Sequence, residues 1–266
     1  MNMLEPILET TRTRIAALPP LAELKARAGD QPPVRDFAAA LTVGGLQVIA
    51  EIKRRSPSAG EMAPDLDPVG RAVAYEQGGA AAISVLTEPD HFSGSLDDLV
   101  AVRAAVAVPV LRKDFILNTA QMWEARAHGA DAVLLIVAAL APSHLAELLS
   151  VAAETGLAAL VEVHSPDEVG VAIGAGASII GVNNRDLTTF HTDLGIAEAV
   201  APMLIDTPVR IAESAVSDVA GAGRMAAAGY DAVLVGETLV TSGDPTAATA
   251  GLVAAGTGRS APQGDG

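Results

Sequence analysis

GGAAAISVL (78–86), HGADAVLLI (128–136), GAGASIIGV (174–182) and AGYDAVLVG (228–236) repeat one pattern along a 266-residue chain. In each, a helical stretch ends at a glycine, a short turn follows, and an apolar strand begins. The glycines concerned, Gly79, Gly129, Gly176 and Gly229, recur at intervals of roughly 50 residues, about twice one strand-plus-helix unit. The missing units lie in the gaps: LQVIAEIK (46–53), VPVLRK (108–113), LAALVEV (157–163) and TPVRIAES (207–214). Each strand candidate is followed by a helical pattern. Their apolar runs are nearly continuous, as parallel strands buried on both faces require.

Eight parallel units in a chain of this size imply an α/β protein of (β/α)8 type, a TIM barrel. A doubly wound open sheet is the alternative, but it leaves two strands to place and its dinucleotide fingerprint is missing. Helix starts agree with the barrel phasing. Asp67-Pro68 and Ser165-Pro166-Asp167-Glu168 put a capping residue before a first-turn proline, the second with Glu168 at the reciprocal capping-box position. Asn118 is placed to cap a helix through Ala127. Ahead of the first strand, residues 2–17 and 34–41 read as helices joined by a turn-rich stretch holding Pro19, Pro20, Pro32 and Pro33. The expected organisation is an N-terminal helical extension over 1–45 lying across one end of the barrel, a catalytic barrel over 46–255, and a disordered Gly/Ser/Pro-rich tail over 256–266.

Half of the residues are apolar and only 3% aromatic, so the core is built from small and branched side chains. Cysteine is absent, which removes disulfides and thiolate metal sites. The formal charge of −15 would repel a phosphate backbone, so no nucleic-acid partner is expected. No apolar run reaches about 18 residues, so no membrane span is expected. The opening MNMLEPILETTRTRIAAL carries two acids before its first base and reads as an amphipathic helix, not a signal peptide. A cytoplasmic protein is expected, with a small anionic substrate where bases converge. Lys53-Arg54-Arg55, Arg112-Lys113 and Arg185 are the candidates.

Chemistry in such a barrel sits at the carboxyl ends of the strands. Charges there must work or be paired, because desolvation is costly. The first strand ends in Glu51-Ile52-Lys53, and two-residue spacing puts Glu51 and Lys53 on one face. The third ends in Arg112-Lys113-Asp114, the fifth in Glu162, the sixth in Asn183-Asn184-Arg185-Asp186, and the seventh in Glu213-Ser214. Any one could be a paired structural charge; together they form a polar cage around a small molecule. After the eighth strand, Gly236-Glu237 leads into a short helix whose backbone N–H groups suit a phosphate. Ser56-Pro57-Ser58-Ala59-Gly60, after the first strand, is a loop able to close over substrate. Phe92 and Phe115 follow strands and suit an aromatic ring, whereas Trp123 reads as core or interface filling. His91, His128, His144, His164 and His191 are scattered without paired-ligand spacing, so no metal site is expected. His128 and His144 suit helix ends or surface; His164, just after Glu162, is nearest the chemistry.

The strand-end motifs EIKRRSPSAG (51–60), SVLTEPDHFSGSLDDL (84–99), LRKDFILN (111–118), LVEVHS (160–165), IGVNNRDL (180–187), IAES (211–214) and LVGETL (234–239) resemble those of the indole-3-glycerol-phosphate synthase family in order and content. The resemblance spans roughly residues 35–242, and the N-terminal helices resemble the family's extension. It implies a carboxy-lyase of tryptophan biosynthesis, without metal or organic cofactor. Its substrate would be 1-(2-carboxyphenylamino)-1-deoxyribulose 5-phosphate, and its product indole-3-glycerol phosphate. By motif, Lys113 would be the general acid on the ribulose carbonyl and Glu162 the acid or base of the later dehydration. Lys53, held by Glu51, would engage charged substrate groups. Asn183 and Arg185 would orient the anthranilate portion, Ser214 and Glu213 would be polar partners, and Ser56 would belong to the closing loop. A lysine pKa lowered toward neutrality would ready the acid.

Two departures bear on the phosphate. The family's Glu-Ser-Gly is Glu213-Ser214-Ala215 here, and Glu237 stands where serine is also familiar. Alanine keeps the N–H, but a positive φ there would cost about 1 kcal/mol or more. An isomerase acting on a phosphoribosyl-anthranilate would need a catalytic Asp–Cys pair, and the chain has no cysteine. A binding or assembly paralogue would not need Lys53, Lys113, Glu162 and Asn183 together. A monomer is the simplest state, with weak association allowed.

Overall fold

The computed structural model describes residues 4–185 and 191–256. Asp186 and the proposed tail beyond Gly256 lie outside the described residues, as do positions 2 and 3 of the first predicted helix. Eight parallel strands close into a barrel. They are β1 (Gln47–Ile52), β2 (Ala82–Leu86), β3 (Val110–Lys113), β4 (Ala132–Ile136), β5 (Ala158–Val163), β6 (Ile179–Asn183), β7 (Val209–Glu213) and β8 (Ala232–Val235). Each pairs with its neighbours in sequence, and β1 closes on β8 with Gln47 opposite Ala232.

The alternation of side chains sorts the apolar residues into two layers. Ile49, Leu111, Leu134, Leu160, Ile179, Ile211 and Leu234 fill the barrel interior. Val48, Ala50, Val85, Val133, Val161, Val182 and Val233 face the helices. The predicted caps form: Asp67 accepts from the Val69 N–H at 3.1 Å, Asn118 from Gln121 at 3.0 Å and Ser165 from Glu168 at 3.3 Å. The reciprocal bond of the capping box shifts by one residue, because Glu168 Oε2 accepts from the His164 N–H at 2.8 Å rather than from Ser165.

The N-terminal segment departs from expectation in two ways. It contains three helices, α1 (Leu4–Ala16), α2 (Leu21–Gly29) and α3 (Phe37–Ala40). The flanking prolines disguise α2, although LAELKARAG is rich in helix formers. The segment also serves both ends of the barrel rather than one. Leu4 and Ile7 of α1 line the cavity at the carboxyl ends of the strands. Phe37 and Leu41 pack into the interior cluster, and Arg35 beside them donates its N–H to Asp131, just ahead of β4, at 2.7 Å. Between these points α2 packs on the helix Thr119–Ala127, with Lys25 Nζ 4.5 Å from the Trp123 ring centre. At the other end of the chain Gly256 closes the last helix, Pro245–Gly256, and its carbonyl accepts from Leu46 N–H, so it belongs with the barrel rather than with a tail.

Candidate active site

The inward rows of the barrel end in its charges. Ile49 continues to Glu51 and Lys53, Leu111 to Lys113, Leu160 to Glu162, Ile179 to Asn183, Ile211 to Glu213 and Leu234 to Gly236. Glu51, Lys53, Lys113, Glu162, Asn183, Glu213 and Gly236 line a cavity of 560 Å³ together with Ser56, Phe92, Phe115, Arg185, Ser214, Ala215 and Glu237. Most residues singled out from the strand ends and loops therefore reach one cavity; Asn184 instead lies buried, donating to Glu213 O at 3.1 Å and accepting the Ala197 N–H at 3.0 Å. The other bases do not reach it. Arg112 points outward, only 1% exposed, onto Asp114 at 3.0 Å and Glu124 at 2.9 Å. Arg54 pairs with Asp98, and Arg55 is exposed. Alternation along the strand separates Lys113 from Arg112.

Lys113 Nζ stands among three buried carboxylates from three other strands: Glu213 at 3.6 Å, Glu162 at 3.7 Å and Glu51 at 3.8 Å. Burial disfavours its charge, but Glu213, Glu162 and Glu51 outweigh burial and raise its pKa. The lowering toward neutrality expected from burial is therefore reversed, because these carboxylates come from distant strands. They divide in protonation. Burial opposes ionisation of Glu162, yet Lys113, His164 and Asn183 hold it low, at about 2. Glu213 is pushed up to about 8 by burial and by Glu162. Burial and mutual repulsion thus push the two carboxyl groups in opposite directions, Glu162 down and Glu213 up. Glu51 is lowered because Lys53 and Lys113 overcome its burial, and its Oε1 lies 2.8 Å from Lys53 Nζ.

Glu213 thus binds its proton more tightly folded than unfolded. Its favourable contribution is complete below about pH 4.5 and is lost as pH rises through about 8. Chemical denaturation of wild type and Glu213→Gln across this window should show wild type losing stability relative to the variant. A difference that does not change with pH would contradict the assignment.

Asn183 donates to Glu162 Oε1 at 3.2 Å and accepts the Arg185 N–H at 3.0 Å, so one amide aligns both. Arg185 reaches across the mouth, donating to Ser58 Oγ at 3.1 Å and lying 3.8 Å from Glu237. The loop after β1 is a short hairpin, Arg55–Ser56 with Gly60–Glu61, in which Ser56 Oγ accepts the Ala59 N–H at 3.1 Å. Phe92 and Phe115 form a tilted pair with ring centres 6.1 Å apart on the cavity wall. His128 ends its helix with Nδ1 2.8 Å from Glu124 O, as a helix-end role requires.

Two glycines keep the cage open, and sequence reading missed one of them. A methyl group at Gly181 would lie 2.1 Å from Glu213 Oε1 and 2.9 Å from Leu160 Cδ1. At Gly236 it would lie 2.5 Å from Glu51 Oε1. The detectable signal for Gly181 was a glycine inside an apolar strand, which marks close approach by another group.

Beyond β7, Ser214 and Ala215 both adopt φ of 63°. The backbone at Ala215 is therefore left-handed, and alanine carries the strain. Ala215→Gly should stabilise the fold by about 0.5–1 kcal/mol, the strain relieved less the added chain entropy of glycine. Denaturant midpoints would measure it, and an unchanged or lowered stability would contradict a strained backbone.

The family model for indole-3-glycerol phosphate synthase matches residues 4–252. The chain belongs to the indole-3-glycerol phosphate synthase family. Relatives bearing that family's name include proteins of Mycobacterium avium, 54% identical over 98% of this chain and 97% of theirs, and of Mycobacterium tuberculosis, 53% identical with the same coverage. Similar solved structures include a 3-hexulose-6-phosphate synthase, with TM-score 0.61, 19% identity and coverage of 79% of this chain and 99% of that one. A thiamine phosphate pyrophosphorylase from Pyrococcus furiosus gives TM-score 0.61 at 16% identity, covering 83% and 97%. These two share the barrel fold; the family rests on the closer relatives.

Proposed function

We propose that this barrel converts 1-(2-carboxyphenylamino)-1-deoxy-D-ribulose 5-phosphate to indole-3-glycerol phosphate with loss of CO2 and H2O. The observation that carries this reading is Lys113, a buried ammonium 3.6 Å from Glu213, 3.7 Å from Glu162 and 3.8 Å from Glu51 at the end of the barrel where the cavity opens. Attack of the ring carbon on the ribulose carbonyl builds negative charge on oxygen. Lys113 stabilises that charge and transfers a proton to it. Its raised pKa is no obstacle, since an alkoxide is far more basic than an ammonium. Decarboxylation then restores the ring, and Glu162, held ionised, serves the dehydration that follows.

The remaining residues orient the substrate. Lys53, fixed by Glu51, meets its charged groups. Asn183 and Arg185 align the anthranilate portion, with its ring against Phe92 and Phe115. Ser214 and Glu213 supply polar contacts. The backbone N–H groups of Ala215, Gly236 and Glu237 take the phosphate, and the Ser56 loop closes over the whole, excluding water that would weaken these interactions.

Supplying the carboxyphenylamino substrate and following indole fluorescence tests this reading. Saturable production of indole-3-glycerol phosphate is the expected result. A folded protein that binds the substrate and leaves it unchanged would instead identify a binding paralogue.

A further inference from the structure

Two phenyl rings wall the cavity where the proposed reaction places the aryl part of its substrate. Phe92 follows β2 and Phe115 follows β3, so neither loop alone fixes the distance between the rings. Each is held by a carboxylate. Glu88 Oε2 accepts the N–H of His91 at 2.7 Å and that of Phe92 at 3.1 Å. Asp114 Oδ1 accepts the N–H of Phe115 at 2.8 Å. Both carboxylates are fully buried.

One guanidinium from outside the barrel faces both of them. Arg14 of α1 places a terminal nitrogen 3.4 Å from Asp114 Oδ1 and 3.6 Å from Glu88 Oε1. The same nitrogen donates to Thr11 Oγ1 at 3.0 Å, which steadies the side chain against its own helix. Asp114 has a second cation, Arg112 at 3.0 Å, and accepts from Thr87 Oγ1 at 2.8 Å. Among the described residues, the other ion-pair partner of Glu88 is His91, at 3.4 Å. Leu4, Ile7, Thr11 and Arg14 recur at helical spacing, so one face of α1 runs from the cavity wall to this carboxylate pair.

We propose that Arg14 is a positioning residue that sets the spacing of the Phe92 and Phe115 rings and thereby the selectivity of the site for the aryl group. Two buried carboxylates repel each other, and a shared cation offsets that repulsion. With Arg14 in place the loops after β2 and β3 are drawn together, and the ring centres stand 6.1 Å apart, tilted by 38°. Without it the loops part, the slot widens, and a bulkier ring is admitted. The clamp is separate from the chemistry, because Arg14 does not line the cavity and its carboxylates are not those that face Lys113.

This inference rests on the lyase reading, and the assay separates the two. Wild type, Arg14→Gln and Leu8→Ala are compared on the carboxyphenylamino substrate and on an analogue methylated on its benzene ring, with folding checked by thermal melting. Leu8 is buried and does not line the cavity, so its truncation loosens α1 without removing the cation. For Arg14→Gln the clamp predicts KM for the unmethylated substrate raised about fivefold or more, with kcat within about twofold of wild type. Preference for the unmethylated substrate, as a ratio of kcat/KM values, should fall by about threefold or more. Leu8→Ala should shift both substrates together and keep that ratio. An unchanged ratio in Arg14→Gln, or an equal fall in Leu8→Ala, would overturn the clamp. An inactive wild type would overturn the lyase reading itself.

Discussion

Replacing Lys113 with alanine should lower kcat by about 10³-fold or more while substrate still binds. General acid catalysis by one side chain is worth about 10²–10⁴-fold. Here the loss should not fall at the low end, because Lys113 serves twice. It donates to the carbonyl oxygen, and it is the leading attraction that keeps Glu162 ionised against burial. Without it, Glu51, Glu162 and Glu213 share a cavity with no cation at their centre, and protons move onto them. The phosphate contacts proposed at Ala215 and Gly236 lie just beyond β7 and β8 and do not involve the ammonium, so KM should change by a few-fold at most. Steady-state kinetics with a parallel binding titration separates the two effects. A large rise in KM with kcat preserved would show that Lys113 binds rather than catalyses.

Glu162→Gln should lower formation of the indole product by about 10²–10⁴-fold, with a different signature. Glutamine keeps an oxygen for the Asn183 amide, which donates to Glu162 Oε1 at 3.2 Å, so the shape of the site is retained. It cannot take a proton. Ring closure and decarboxylation depend on Lys113 and precede the step assigned to Glu162. Rapid quenching should therefore find CO2 released at about one equivalent per site before any comparable amount of indole. Absence of early CO2 would place Glu162 at the first step instead.

The barrel was readable because its glycine-to-strand pattern recurs and its strands are apolar on both faces. The cage was readable because charges interrupt those strands at the same end. Other features depend on distances that sequence spacing does not encode. Arg112 and Lys113 are adjacent, and only the pleat sends one outward to Asp114 and Glu124 and the other into the cavity. The direction of the Lys113 shift follows from three carboxylates on other strands. Gly181 owes its place to Glu213, far along the chain. The prolines around α2 concealed a helix, and the division of the N-terminal segment between the two barrel ends follows from contacts made by Ile7 and Phe37. His164 was visible as a neighbour of Glu162, but its second partner, Glu168, emerged only with the shifted capping bond.

The most direct test is a crystal structure of the protein with indole-3-glycerol phosphate bound. The proposed chemistry predicts the phosphate about 3 Å from the backbone nitrogens of Ala215, Gly236 and Glu237, and the indole between Lys113 and Glu162 against Phe92 and Phe115. A phosphate bound elsewhere, or an indole ring held away from Lys113 and Glu162, would contradict it.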